Sequence, residues 1–270
     1  MDLKQYESAL TAINKALELS DNSPYYIIKK GDLFFLLKDF QEAIKWYNIA
    51  EKKGSQHPTF FYNRAKAYIE LGEKQKAIND LSIYLSKTPT KEGFLKRAAI
   101  YKSLNNPKGL IDDYNNAYSL DTSDINILVN KAQVLFVLKQ YKLAEKTFKQ
   151  IAKKKPSTSI INNIGLCAQK QNKFDEAIQF YSFAIEKEPS FSEAYYNRAR
   201  TYAELKENIL AIDDYSKAIA INSNYTVAYK YRAISLLING KKTQACKDYK
   251  KALQLGLKTK DEQLNKLCVN

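Results

Sequence analysis

The sequence predicts an all-α solenoid built from antiparallel helix pairs, and three observations carry that prediction. Similar segments recur every 33 or 34 residues, among them FYNRAKAYIELGEKQKAINDL from Phe61, YYNRARTYAELKENILAIDDY from Tyr195 and YKYRAISLLINGKKTQACKDY from Tyr229. Within the period, the eighth and twentieth residues are nearly always small. The twenty-fourth is mostly aromatic. Positions 4, 7, 8 and 11 share one helical face, and positions 20, 24 and 27 share the face of a second helix. Small residues at 8 and 20 let the two backbones approach, and the aromatic at 24 fills the space they leave. With 45% hydrophobic and 12% aromatic residues, the 270-residue chain has ample apolar surface for such a core.

The elements follow in order. Residues 1–23, with Tyr6, Ala9 and Ala16, read as the second helix of a unit whose first helix is missing; either a longer native chain precedes Met1 or another surface covers that end. Unit 24–57 starts at Pro24 and places Gly31, Ala43 and Tyr47 at positions 8, 20 and 24. Unit 58–90 supplies Ala65, Ala77 and Leu81 and is closed by Pro89. Unit 91–124 has Ala98, Leu110 and Tyr114, and Asn106-Pro107 gives its second helix a cap and a first-turn proline. Unit 125–157, with Ala132, Ala144 and Phe148, closes at Pro156, and unit 158–191, with Gly165, Ala177 and Tyr181, at Pro189. Units 192–225 (Ala199, Ala211, Tyr215) and 226–259 (Ala233, Ala245, Tyr249) complete the series. After Gly256, residues 260–270 read as a short capping helix with Leu264 and Leu267 facing the last unit. No hairpin can cover its own apolar face, so neighbours must stack, and the whole is expected to be one solenoid domain.

Ala50, Ala117, Ala184, Ala218 and Ala252 stand at position 27, and the closing prolines stand at position 32. Together with the period, these residues make 24–259 closely similar to the tetratricopeptide repeat family. Tyr84 and Ile151 at position 27, Leu110 at 20 and Ala168 at 11 depart from the pattern and suggest locally different helix spacing. The related 35-residue RNA-binding helical repeat fits less well, because its period and base-reading positions are not reproduced. The resemblance implies a right-handed superhelix whose first helices line a concave groove and whose second helices form the convex outside.

In such a groove position 6 points inward. It reads Lys29, Asn63, Lys96, Asn130, Asn163, Asn197 and Tyr231, with Tyr62 and Tyr196 one residue before ladder members. An asparagine side chain both donates and accepts, so a ladder of them can pair with an extended peptide backbone, while the tyrosines pack on apolar side chains. The same asparagines could instead hydrogen-bond neighbouring helices. The carboxylate clamp of chaperone-binding relatives is not expected, because Ile28, Asp32, Asn63, Glu92 and Lys96 occupy its positions, and Asp32 and Glu92 would repel a carboxylate. The expected partner is another protein, held as an extended peptide or a helix.

Other chemistries find little support. One histidine, His57, and three cysteines leave no ligand set for zinc, and no glycine-rich phosphate loop occurs; no metal, cofactor or enzymatic activity is expected. No apolar run is long enough for a membrane helix. The net charge of +14 is concentrated in 125–157 (+7) and 226–270 (+7). Lys142, Lys146, Lys149 and Lys153 form a stripe on a second helix, echoed by Lys247 with Lys250 or Lys251. The simplest reading is a solvated face; the alternative is docking to nucleic acid or to the surface of an anionic membrane. Nucleic acid is the weaker of these, because Phe148 and Tyr249 beside the lysines occupy core positions. Cys167 and Cys246 read most simply as small core residues. For Cys246 and Cys268 two separate thiols are the simpler account, with a disulfide, and hence an oxidising compartment, as the alternative. As it stands the sequence reads as cytoplasmic; the ACKDYKKALQLG ending resembles bacterial members of the family, some exported or lipid-anchored, so a lost export signal would make the protein periplasmic or membrane-anchored.

Overall fold

The computed structural model describes residues 3–258 and 261–268. The chain falls into two compact units, the first running to Ile127 and the second from Leu128. Among the described residues both are built from α-helices, without a strand. The first unit holds α1 (Leu3–Leu19), α2 (Pro24–Leu36), α3 (Phe40–Lys52), α4 (Pro58–Glu70), α5 (Lys74–Lys87), α6 (Lys91–Ser103) and α7 (Pro107–Leu120). Helix α8 (Ile125–Val137) carries the boundary. The second unit continues with α9 (Tyr141–Lys154), α10 (Thr158–Lys170), α11 (Phe174–Lys187), α12 (Ser192–Glu204), α13 (Asn208–Ile221), α14 (Thr226–Ile238), α15 (Lys242–Gln254) and α16 (Glu262–Cys268). The helix pairs coincide with the sequence repeats.

Each pair is locked by its small and aromatic residues. Tyr47, Tyr181, Tyr215 and Tyr249 are fully buried, as are Ala43, Ala77, Ala144, Ala177, Ala211 and Ala245 at position 20. A Cβ placed on Gly31 would lie 2.7 Å from the Tyr47 ring, and one on Gly165 would lie equally close to the ring of Tyr181. Where the family pattern is broken, the space is filled: Leu110, Ile151 and Ala168 are all buried. Helix starts follow the sequence signals. Asp39, Thr90, Asn106 and Ser157 each accept a backbone N–H of the first turn, and Pro24, Pro58 and Pro107 open their helices. His57 does the same for α4, its Nδ1 accepting the Thr59 N–H at 3.4 Å.

One backbone feature recurs seven times. The turn between the two helices of every repeat puts position 15 in the left-handed region: Lys38, Gly72, Asn105, Lys139, Asn172, Lys206 and Gly240, with φ from 52° to 76°. This is the residue that ends an α-helix in its commonest C-terminal motif. Only two of the seven are glycine, so the geometry is imposed by the packed helix pair rather than by local preference.

The end of the second unit resolves the cysteine alternatives in favour of the bond. Cys246 of α15 and Cys268 of α16 form a disulfide, with Cα atoms 5.0 Å apart. Leu264 of α16 is fully buried beside Tyr249, Ala252 and Leu257, and the Tyr249 hydroxyl donates to the Asp261 carbonyl while accepting its N–H. Cys167 is a free, fully buried thiol, its pKa pushed up to about 12 by burial and, secondarily, by the charge of Glu145.

Candidate functional site

First helices lie side by side within each unit, α2 against α4 in the first and α10, α12 and α14 in the second, and each set forms a wall. In the first unit Asp32 is the hub. Its carboxylate accepts from the Tyr47 hydroxyl at 2.8 Å and from the Asn63 amide at 2.7 Å, with the Lys29 ammonium 3.8 Å away. Asn63 is therefore engaged by a neighbouring helix. Tyr62 packs on Tyr84, with ring centres 4.8 Å apart, and the Lys66 ammonium lies 5.3 Å from the Tyr62 ring and 4.7 Å from that of Phe35. Burial first, and then the charge of half-buried Lys96, hold the Lys66 pKa below its ordinary value.

Of the remaining asparagines, Asn163 and Asn197 stand on the wall of the second unit and Asn130 on α8. Asn197 is buried and donates to the Asn162 side chain of the preceding first helix at 2.9 Å, so its amide is used in the stack. Asn130 is exposed and Asn163 half-buried, and neither side chain has a partner among the described residues. The ladder is thus uneven: two rungs are spent on structure and two present their amides. Tyr196 lies among Tyr215, Tyr225 and Tyr231 at ring separations of 5.9, 5.0 and 6.1 Å, and burial pushes its phenol up to about 12. Beside it a cavity of about 210 Å³ is lined by Arg200, Glu204 and Asn208 together with Tyr215, Tyr231 and Ile238.

A second recurring constellation is present in the sequence, and the repeat pattern of small and aromatic residues does not single it out. Arginine at position 7 meets aspartate at position 23 of the same repeat in Arg64–Asp80, Arg97–Asp113, Arg198–Asp214 and Arg232–Asp248. Each guanidinium grips both carboxylate oxygens at 2.6–3.0 Å and spends a third donor on position 25 of the preceding repeat, namely Asn48, Ser82, Ser182 or Ser216. These are bolts between stacked hairpins. Desolvation holds the Asp80 and Asp113 carboxyls above their usual range despite the arginines.

On the other helices Lys142, Lys146, Lys149 and Lys153 are exposed along α9 and, with Lys173, border a shallow cavity of about 690 Å³. Lys149 donates to Glu145 at 2.5 Å. Among the described residues no helix is long and apolar enough to cross a membrane.

The comparison with known families decides what these hairpins are. A family profile described as the tetratricopeptide repeat matches residues 159–191 and 192–225, within a residue of the repeat boundaries, and the profile of anaphase-promoting complex, cyclosome, subunit 3 matches residues 2–82. These are tetratricopeptide repeats. A tetratricopeptide repeat-containing protein of Methanocaldococcus jannaschii is 28% identical over 66% of this chain and 33% of its own length. The Hsp70-Hsp90 organizing protein of Triticum aestivum is 25% identical over 84% of the chain and 39% of its own length. The chain thus spans between a third and two-fifths of the length of these curated relatives. Among solved structures, the C-terminal part of a tetratricopeptide repeat protein from Cytophaga hutchinsonii aligns with a TM-score of 0.63 at 20% identity, covering 89% of this chain and 98% of that one, which is a likeness of fold.

Proposed function

We propose that this tetratricopeptide protein is a non-catalytic interaction scaffold that holds a segment of another protein against its first-helix walls and so serves as an assembly or adaptor component. What supports the reading is that Asn130 on α8 and Asn163 on α10, at the same position of consecutive first helices, have side-chain amides without a partner among the described residues, free to pair with an extended backbone. Within the second unit Tyr196 supplies a flanking contact and Asn197 holds the wall in shape; within the first, Tyr62 and Lys96 supply contacts and Asn63 holds the wall. A relative named as an organizing protein for Hsp70 and Hsp90 supports the class of role. The exposed lysines of α9 favour a second reading, electrostatic docking to nucleic acid or an anionic membrane surface.

Capture of the native partner from its own cell separates the two. On the wall reading Asn130→Ala with Asn163→Ala releases the partner, and binding varies little with salt. On the stripe reading Lys142→Glu with Lys146→Glu releases it, and binding collapses between low and moderate salt. A partner indifferent to the asparagine pair refutes the wall assignment.

A further inference from the structure

Four position-24 tyrosines are fully buried, and three of them satisfy their hydroxyls within the protein. Tyr47 donates to Asp32, at position 9 of its repeat; Tyr181 donates to Gln169, at position 12; Tyr249 pairs with the backbone of Asp261. The Tyr215 hydroxyl has no partner. The cause is visible in its own first helix. Position 9 there is Arg200, a donor, and position 12 is Ala203, which has no polar atom; both residues line the 210 Å³ cavity, as does Tyr215. Both places from which sister repeats supply an acceptor have lost it. Buried hydroxyls in folded proteins are paired, so this one marks a missing acceptor.

Arg200 departs from the other arginines in the same direction. Its guanidinium lies over the Tyr231 ring at 5.4 Å and forms an ion pair with Glu204 at 3.6 Å without a hydrogen bond, where Arg198 and Arg232 each grip a carboxylate in a bidentate fork. A guanidinium carries five N–H donors, so several still face the cavity. Glu204 also accepts from Gln169 at 3.0 Å, which fixes it as an acceptor at the rim.

We propose that this cavity is a subsite for a side-chain carboxamide, glutamine or asparagine, of the polypeptide held on the wall; that the occupant is a polypeptide rests on the function proposed above. The carboxamide oxygen accepts from Arg200 and, as the lining side chains part to admit it, from the Tyr215 hydroxyl, which is closed to solvent in the unliganded fold, and its NH2 donates to Glu204. No other common side chain offers both complements on one planar group. A carboxylate gains Arg200 but meets Glu204, which already neutralises that charge. An aliphatic side chain leaves the hydroxyl unpaired. The volume suits one side chain, since sites for drug-sized ligands run to roughly 300–1,000 Å³. Ile234 and Ile238 offer apolar surface to its methylenes, Ile238 with 66% of its surface exposed.

The test uses the full chain, isotopically labelled, and three capped five-residue peptides of alanine and leucine carrying glutamine, glutamate or leucine at the centre. Only the glutamine peptide is expected to shift the Arg200 Nε–Hε resonance and the Ile238 methyls, binding about tenfold more tightly than the leucine peptide. Tyr215→Phe should remove that preference, so that the glutamine and leucine peptides bind alike, and a thermal melt of the variant checks that it is folded. Equal binding of all three peptides, tighter binding of glutamate, or a glutamine preference that survives Tyr215→Phe overturns the proposal; the last result leaves the hydroxyl buried and unpaired. The wall reading fails separately. If Asn130→Ala with Asn163→Ala spares the native partner while the glutamine peptide still selects this cavity, the subsite stands and the wall assignment falls. If the partner needs the asparagines but no peptide touches Arg200, the reverse holds.

Discussion

Deleting one oxygen from two equivalent tyrosines should move stability in opposite directions. Tyr47 and Tyr215 occupy the same repeat position, are equally buried, and differ in what the hydroxyl meets. Tyr47→Phe removes a 2.8 Å hydrogen bond to the Asp32 carboxylate. Bonds to charged groups contribute about 1.5–3 kcal/mol, and the lower end applies because Asp32 is a quarter exposed and keeps Asn63, so the loss is about 1.5 kcal/mol. Tyr215→Phe removes a hydroxyl that was desolvated without compensation. Relief of that penalty should stabilise by about 1 kcal/mol, at the low end of the range for unsatisfied buried groups. The variants should therefore differ by roughly 2.5 kcal/mol. Repeat arrays need not unfold in one step, so amide hydrogen exchange resolved by helix is the better assay. Protection in α2 and α3 should fall about tenfold in the first variant, and protection in α12 and α13 should rise several-fold in the second. If Tyr215→Phe loosens α12 and α13 as much as Tyr47→Phe loosens α2 and α3, the Tyr215 hydroxyl has a partner, and the reasoning behind the cavity fails with it.

Four further outcomes follow from the same structure. Arg232→Ala leaves the buried Asp248 carboxylate without its bidentate partner and should cost about 3–5 kcal/mol in urea unfolding, with Arg232→Lys a poor rescue because an ammonium cannot form the fork. Lys206→Gly relieves a left-handed residue and should raise stability by about 0.5–1 kcal/mol, whereas Gly72→Ala should lower it by a similar amount, both read from denaturation midpoints. Cys268→Ser frees a loop whose ends are 22 residues apart and should cost about 3 kcal/mol, seen as a lower Tm matched by adding reductant to the wild type. In the same sample Cys167, with its thiol pushed up to about 12, should resist alkylation at neutral pH until the protein unfolds.

The fold was legible because its determinants are local and periodic. Gly31 with Tyr47, or Ala199 with Tyr215, sit a fixed 16 residues apart, and size alone identifies them. The arginine–aspartate bolts have the same spacing and recur four times, but charge at helical positions is ordinarily solvated, and only packing shows Asp113 and Asp214 to be buried. The wall was less legible for a different reason. Whether an asparagine faces a ligand or a neighbour depends on a residue about one repeat away: Asn63 finds Asp32 and Asn197 finds Asn162, while Asn130 and Asn163 find no partner among the described residues. Position 15 hid itself as well, since Lys38, Lys139 and Lys206 give no sign of a left-handed turn. The empty acceptor around Tyr215 emerges only when sister repeats are compared atom by atom.

That shared corner has a practical corollary. Because lysine, asparagine and glycine all bend the chain through the same angle at the same place, a hairpin brings its own geometry wherever it is spliced. Repeats should thus be exchangeable as cassettes: a consecutive pair spanning 192–259, which brings Arg200 and Tyr215 together with Tyr231, Ile234 and Ile238, could be moved to another slot, taking its side-chain preference along and moving the corresponding contact to a new place on the captured ligand.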